Sequence, residues 1–166
     1  YTDYMRLISP QFQLEYNRVA PLTTDYPQAL GSPLLDALNV RYVMTEGTIE
    51  NPIYRLAYED EAVRIYENTH VMPRAYTLPT RATLTYDSFA GFQELLAAPG
   101  VDPHRAVLRY DPARPTSPEG ALLDADPVPQ TITDYRGITV LIDATVSEPS
   151  WLVLADSYFE GWRAFI

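Results

Sequence analysis

Residues 131–154, TITDYRGITVLIDATVSEPSWLVL, decide the fold class. Isoleucine, valine, threonine and tyrosine fill two short runs on either side of Arg136-Gly137, a composition that suits pleated, half-buried strands. The spacing predicts two strands within 131–146 joined at Arg136-Gly137. Glu148-Pro149-Ser150 then turns the chain into a third strand. Four apolar residues in a row, Trp151 to Leu154, predict that this strand is buried on both faces. Leu152 and Leu154 are expected to face one layer, and Trp151 and Val153 the other.

Working outward, the same grammar recurs. Residues 54–68, YRLAYEDEAVRIYEN, read as a hairpin turning at Glu59-Asp60-Glu61. Tyr54, Leu56 and Tyr58 form one expected face, opposite Val63, Ile65 and Glu67 on the return strand. Residues 73–86 are extended, with Pro79 favouring an edge or a bend. Residues 105–110 make another strand, and the proline-rich 111–129 a long surface loop. Two helices interrupt the strands. Ser32 caps the first, Pro33 suits its first position, and Asn39 ends it in a left-handed conformation. Asp87 or Ser88 caps the second, which carries a stripe of Phe89, Phe92, Leu95 and Leu96 and stops at Pro99-Gly100. The expected fold is therefore α+β and mostly β: an antiparallel β-sandwich-like core with two short helices. Residues 1–33 are expected to be an extended or irregular lead-in, and 34–166 a β-rich domain. The sequence begins at Tyr1 and stops within a strand-like run, so an excised piece of a longer protein, truncated at its C-terminal end, is expected.

The 166 residues carry a formal charge of −10, with 22 acidic residues against 12 cations, all of them arginine. An acidic balance repels phosphate backbones, so no nucleic-acid partner is expected. Without cysteine there is no disulfide, thiolate zinc site or cysteine nucleophile. No apolar run approaches the ~20 residues that span a bilayer.

Motifs for nucleotide binding, serine hydrolysis and zinc proteolysis are all missing. His70 and His104 lack metal-ligand spacing and read as solvated or capping residues. No metal and no cofactor is expected. Carboxylates are abundant, and glycoside hydrolysis needs two of them about 5–10 Å apart. Asp156 and Glu160, beside Tyr158 and Trp162, are the pair to consider, because carboxylates among aromatics hold sugars. Acidic residues at a strand end more often satisfy backbone donors. These four residues are kept as candidate glycan contacts, and no catalytic residue is assigned. Gly161 is expected to permit a turn or bulge ahead of Trp162, which starts a new strand and packs into the core. Truncating Trp162 would then cost on the order of 3–5 kcal/mol. Arg64, Arg74 and Arg81 are either anion contacts or ordinary surface ion pairs, the second being the commoner state of such residues.

Three stretches line up in order: LLDALNVRYVMT (34–45), VRIYENTHVMPRAYTL (63–78) and WLVLADSYFEGWRAFI (151–166). Together they resemble the C-terminal extracytoplasmic region of the YfhO family of bacterial membrane proteins. That family is similar to the multi-spanning glycosyltransferases that use polyprenyl-phosphate sugars. The Asp-Gly turn and further strands that usually follow in the family are missing after Ile166, as are the membrane helices that house catalysis. The resemblance implies a non-catalytic domain on the extracytoplasmic face of the bacterial membrane. Its partners would be the transmembrane region of the same parent chain and a cell-envelope glycan acceptor. A carbohydrate-binding or adhesion module is the alternative, and a stand-alone glycoside hydrolase the second alternative.

Overall fold

The computed structural model describes residues 30–117, 123–156 and 160–166. Most of the expected lead-in, and Tyr158, lie outside these residues. The described chain is mostly strand with two short helices, the expected α+β class. Its strands are divided among four small sheets.

Helix α1, Pro33–Ala37, forms where local chemistry requires it. The Ser32 side chain accepts a hydrogen bond from the Leu34 amide at 3.3 Å, and Pro33 occupies the first turn. Asn39 takes the left-handed conformation (φ 58°) that ends the helix, and its side-chain amide donates to the Met72 carbonyl at 2.6 Å. Strand β1, Tyr42–Thr45, leads into the hairpin of β2, Tyr54–Glu59, and β3, Arg64–Asn68. β3 lies between the other two, and both pairings are antiparallel. Asp60 closes the hairpin: its carboxylate accepts from the Ala62 and Val63 amides, both at 2.8 Å. These backbone donors hold the carboxyl below its usual range.

The hairpin is where it was expected, but its faces are not. Leu56 and Tyr58 are exposed, while Val43, Tyr54 and Tyr66 make the buried cluster. The register shifts between Leu56 and Tyr58, breaking the two-residue alternation for Tyr58, while Leu56 stays in register with the buried Tyr66 and is exposed all the same.

β4, Ala75–Pro79, is buried at every position and lies centrally between β10, Ser150–Leu154, and the short β7, Val128–Pro129. Pro79 marks a bend rather than an edge: the chain passes through a 3₁₀ turn, Thr80–Ala82, into β5, Thr83–Tyr86. Helix α2, Phe89–Ala97, then returns the chain to β6, Val107–Tyr110, which pairs with β5 in parallel. Two parallel strands need a crossover, and α2 provides it. Phe92 and Leu95 are the buried residues of its stripe, and Phe89 is exposed. β8, Thr131–Arg136, and β9, Thr139–Asp143, form the predicted antiparallel hairpin, with Gly137 in the left-handed region (φ 56°) at its turn.

Strand β10 differs from expectation. It is an edge strand with one neighbour, and Leu152 is 48% exposed and Trp151 37%. A continuous apolar run cannot by itself separate a buried strand from an edge. Beyond Gly161 (φ 107°), residues 162–166 form no strand, and Trp162 is 40% exposed. Trp162→Ala is therefore expected to cost under about 1.5 kcal/mol by thermal unfolding, the lower end for burying such a side chain.

Candidate functional site

Alternation along the parallel pair builds the site. Leu84, Tyr86 and Leu108 point toward α2, where they pack with Phe92 and Leu95. The opposite face carries Thr83, Thr85, Val107 and Arg109. Val107 joins the cluster of Met72, Tyr76 and Leu78 beneath sheet β10-β4-β7. Val107 borders the next feature of this face. There an open groove of about 410 Å³ forms, lined by Thr80, Arg81, Thr83, Thr85, Arg109, Arg114, Ser117 and Trp151. This size suits one or two small rings.

Trp151 reaches the groove from the face of β10 that it shares with Val153, in register with Leu78. Its indole N–H donates to Thr83 Oγ1 at 2.8 Å, and the Thr83 hydroxyl donates to the Thr80 carbonyl at 2.7 Å. The Arg109 guanidinium lies 5.8 Å from the Trp151 ring centroid, within cation–π range. The indole is thus held before any ligand arrives.

The groove is electrostatically uneven. At one end Arg81 is paired with Asp124 at 3.2 Å and with Glu148. The hydrogen bond to Glu148 raises the Arg81 pKa above its ordinary value, helped by the charge of Asp124. At the other end Arg109 and Arg114 share Asp111, at 3.9 and 3.7 Å. Those separations are too long for hydrogen bonds. Two guanidinium groups thus face one carboxylate there without being saturated by it.

The residues singled out in sequence fall elsewhere. Asp156 is engaged by Arg74 at 3.2 Å and accepts a hydrogen bond from the Tyr135 hydroxyl. Arg74 also stacks 5.7 Å from the Tyr135 ring centroid. This cluster ties the β8-β9 hairpin to the end of β10. Glu160 is exposed in the turn before Gly161. Arg64 pairs with Glu59 at 2.6 Å, so Arg64, Arg74 and Arg81 all lie against carboxylates, as surface ion pairs do. Trp151, Arg109 and Arg114 were missed: the exposure of Trp151 depends on which strand lies beside β10, which no local pattern encodes.

A second polar cluster lies inside the molecule. Asp36 on α1, 3% exposed, accepts from the Asn68 amide at 2.6 Å and meets His104 Nε2 at 2.8 Å. His104 Nδ1 lies 2.9 Å from Asp102. His70 is solvated as expected, but His104 is locked between two carboxylates. Burial opposes its charge, yet the hydrogen bonds to Asp36 and Asp102 outweigh burial and raise its pKa above 6.5. This cluster joins α1, β3 and the loop before β6. Among the described residues there is no group of three or more metal-ligating side chains, and no helix long and apolar enough to cross a membrane.

No family model matches the chain, and no curated protein or solved structure matches it.

Proposed function

We propose that this chain is a non-catalytic, extracytoplasmic domain of a multi-spanning bacterial membrane protein resembling the polyprenyl-phosphate-sugar-dependent glycosyltransferases, and that it holds a cell-envelope glycan acceptor. The observation that carries the glycan part is the groove: a tryptophan pinned by a hydrogen bond, flanked by hydroxyls and guanidinium groups. A flat aromatic surface beside fixed donors stacks a pyranose ring and reads its hydroxyls. The membrane context rests on the three YfhO-like stretches. Held close to a transmembrane active site, an acceptor gains effective concentration without any new contact. An acidic surface keeps such a domain off an anionic bilayer.

The test is a panel of neutral and acidic envelope oligosaccharides presented to the protein. Binding that is lost in Trp151→Ala is expected; indifference across the panel removes the reading. The parent reading frame is expected to encode many apolar segments of about 20 residues. A parent with few such segments but saccharide binding intact favours the free-standing carbohydrate-binding module, which the same groove supports.

A further inference from the structure

We infer that the groove selects a saccharide bearing a single carboxylate, a uronic acid next to a neutral sugar, and binds it in one direction. The inference rests on the groove being a saccharide site and adds which saccharide it takes. Its two ends differ in charge. At the Arg109–Arg114 end, two cations share the carboxylate of Asp111 at 3.7 to 3.9 Å, which among the described residues leaves one positive charge and open N–H donors. At the Arg81 end, one cation meets both Asp124 and Glu148, leaving an excess of negative charge. Trp151 and the hydroxyls of Thr83 and Thr85 lie among the lining residues of the same groove.

A ring stacked on Trp151 shares the indole with the Arg109 guanidinium, 5.8 Å from its centroid, so a carboxylate on that ring comes within reach of Arg109. Planar carboxylate and planar guanidinium pair through two parallel hydrogen bonds. The single positive charge left among the described residues matches a monoanion. A phosphate monoester, at about −1.5 to −2 near neutral pH, overfills it in a protein whose formal charge is −10. A uronate on every sugar places a second anion against Asp124 and Glu148, which repel it. The neighbouring sugar is therefore neutral and presents hydroxyls to the acidic end.

The test is titration calorimetry of the protein with a glucuronyl-glucose disaccharide, the neutral diglucose of the same linkage, and glucose 6-phosphate. The acidic disaccharide is expected to bind at least about tenfold more tightly than the neutral one, the scale of a charge-assisted hydrogen bond. Its advantage should shrink as salt is raised. The double variant Arg109→Gln, Arg114→Gln changes only exposed side chains, and is expected to bring the acidic disaccharide down to the neutral level. Trp151→Ala should weaken both disaccharides together, and Trp151→Phe should restore part of the loss. Equal affinity for the two disaccharides, or no effect of the double variant, overturns acid selection while leaving saccharide binding intact. A preference for glucose 6-phosphate overturns the monoanion assignment. Binding of no sugar at all overturns both this inference and the reading it rests on.

Discussion

The phenol of Tyr54 is buried within the β1-β3-β2 sheet, and its hydroxyl has no hydrogen-bond partner among the described residues. Burial, reinforced by the charge of Asp36, pushes its pKa up to about 12, so it is a neutral donor with no acceptor. An unsatisfied buried hydroxyl costs about 1–3 kcal/mol. Tyr54→Phe is therefore expected to leave the fold intact and raise its stability by about 1 kcal/mol in urea unfolding; a clear loss would reveal a partner for the hydroxyl. His104 is the opposite case, a group with more partners than usual. Its folded pKa lies above 6.5, so the protonated ring stabilises the native state. That contribution is complete below about 6.5 and disappears as pH rises through the folded value. The stability difference between the protein and His104→Gln should therefore narrow as pH rises from 6 towards the alkaline side. A difference that widened, or that ignored pH, would mean that the ring is neutral in the fold. Asp36 and His104 are far apart in sequence, and neither belongs to a motif. Their pairing follows only from where the loop before β6 meets α1, so His104 read from sequence as a solvated or capping residue.

Helix α2 shows what an element reveals of itself and what it hides. Its Ser88 cap, which accepts from the Gly91 amide at 3.1 Å, and its Phe92 and Leu95 stripe are local and were legible. Hidden was its role as a crossover, because pairing direction depends on strands at both ends. Hidden too was the reason for Gly91. Helix propensity alone favours alanine there by about 1 kcal/mol. A Cβ, however, would collide with the Thr116 side chain, which is fixed by hydrogen bonds to the Asp87 carboxylate at 3.0 Å and from the Asp87 amide at 3.2 Å. Gly91→Ala is expected to destabilise by about 1–3 kcal/mol, as overpacking does. Thr116→Ala in the same chain should recover part of that loss; a stabilised single variant would show that the loop at Thr116 yields freely. β10 teaches the same lesson. Its apolar run correctly marked a strand and wrongly implied cover on both faces, since the cover belongs to neighbours rather than to residues 151–154. Four small sheets likewise follow from pairings such as Tyr76↔Pro129 that leave no local mark.

At the scale of the whole molecule, the mix of local and distant pairings has a kinetic meaning. The β2-β3 and β8-β9 hairpins and the β5-α2-β6 crossover each close over short stretches of chain. Sheet β10-β4-β7 instead recruits both neighbours of β4 from the far end of the sequence. Distant closure carries an entropic cost before any contact repays it. β10 is thus expected to dock after the folding barrier. Val153, which packs against the Met72, Tyr76 and Leu78 cluster, reports on this step. Val153→Ala should lower stability by about 1 kcal/mol, half-burial placing it near the low end for such deletions. Nearly all of the loss should appear as faster unfolding, with the refolding limb of the chevron almost unmoved. A matching drop in refolding rate would place β10 in the nucleus instead. Trp151 enters its groove only with that last strand. A saccharide stacked there would therefore act as a latch in time: it would prolong the lifetime of the folded domain without hastening its formation.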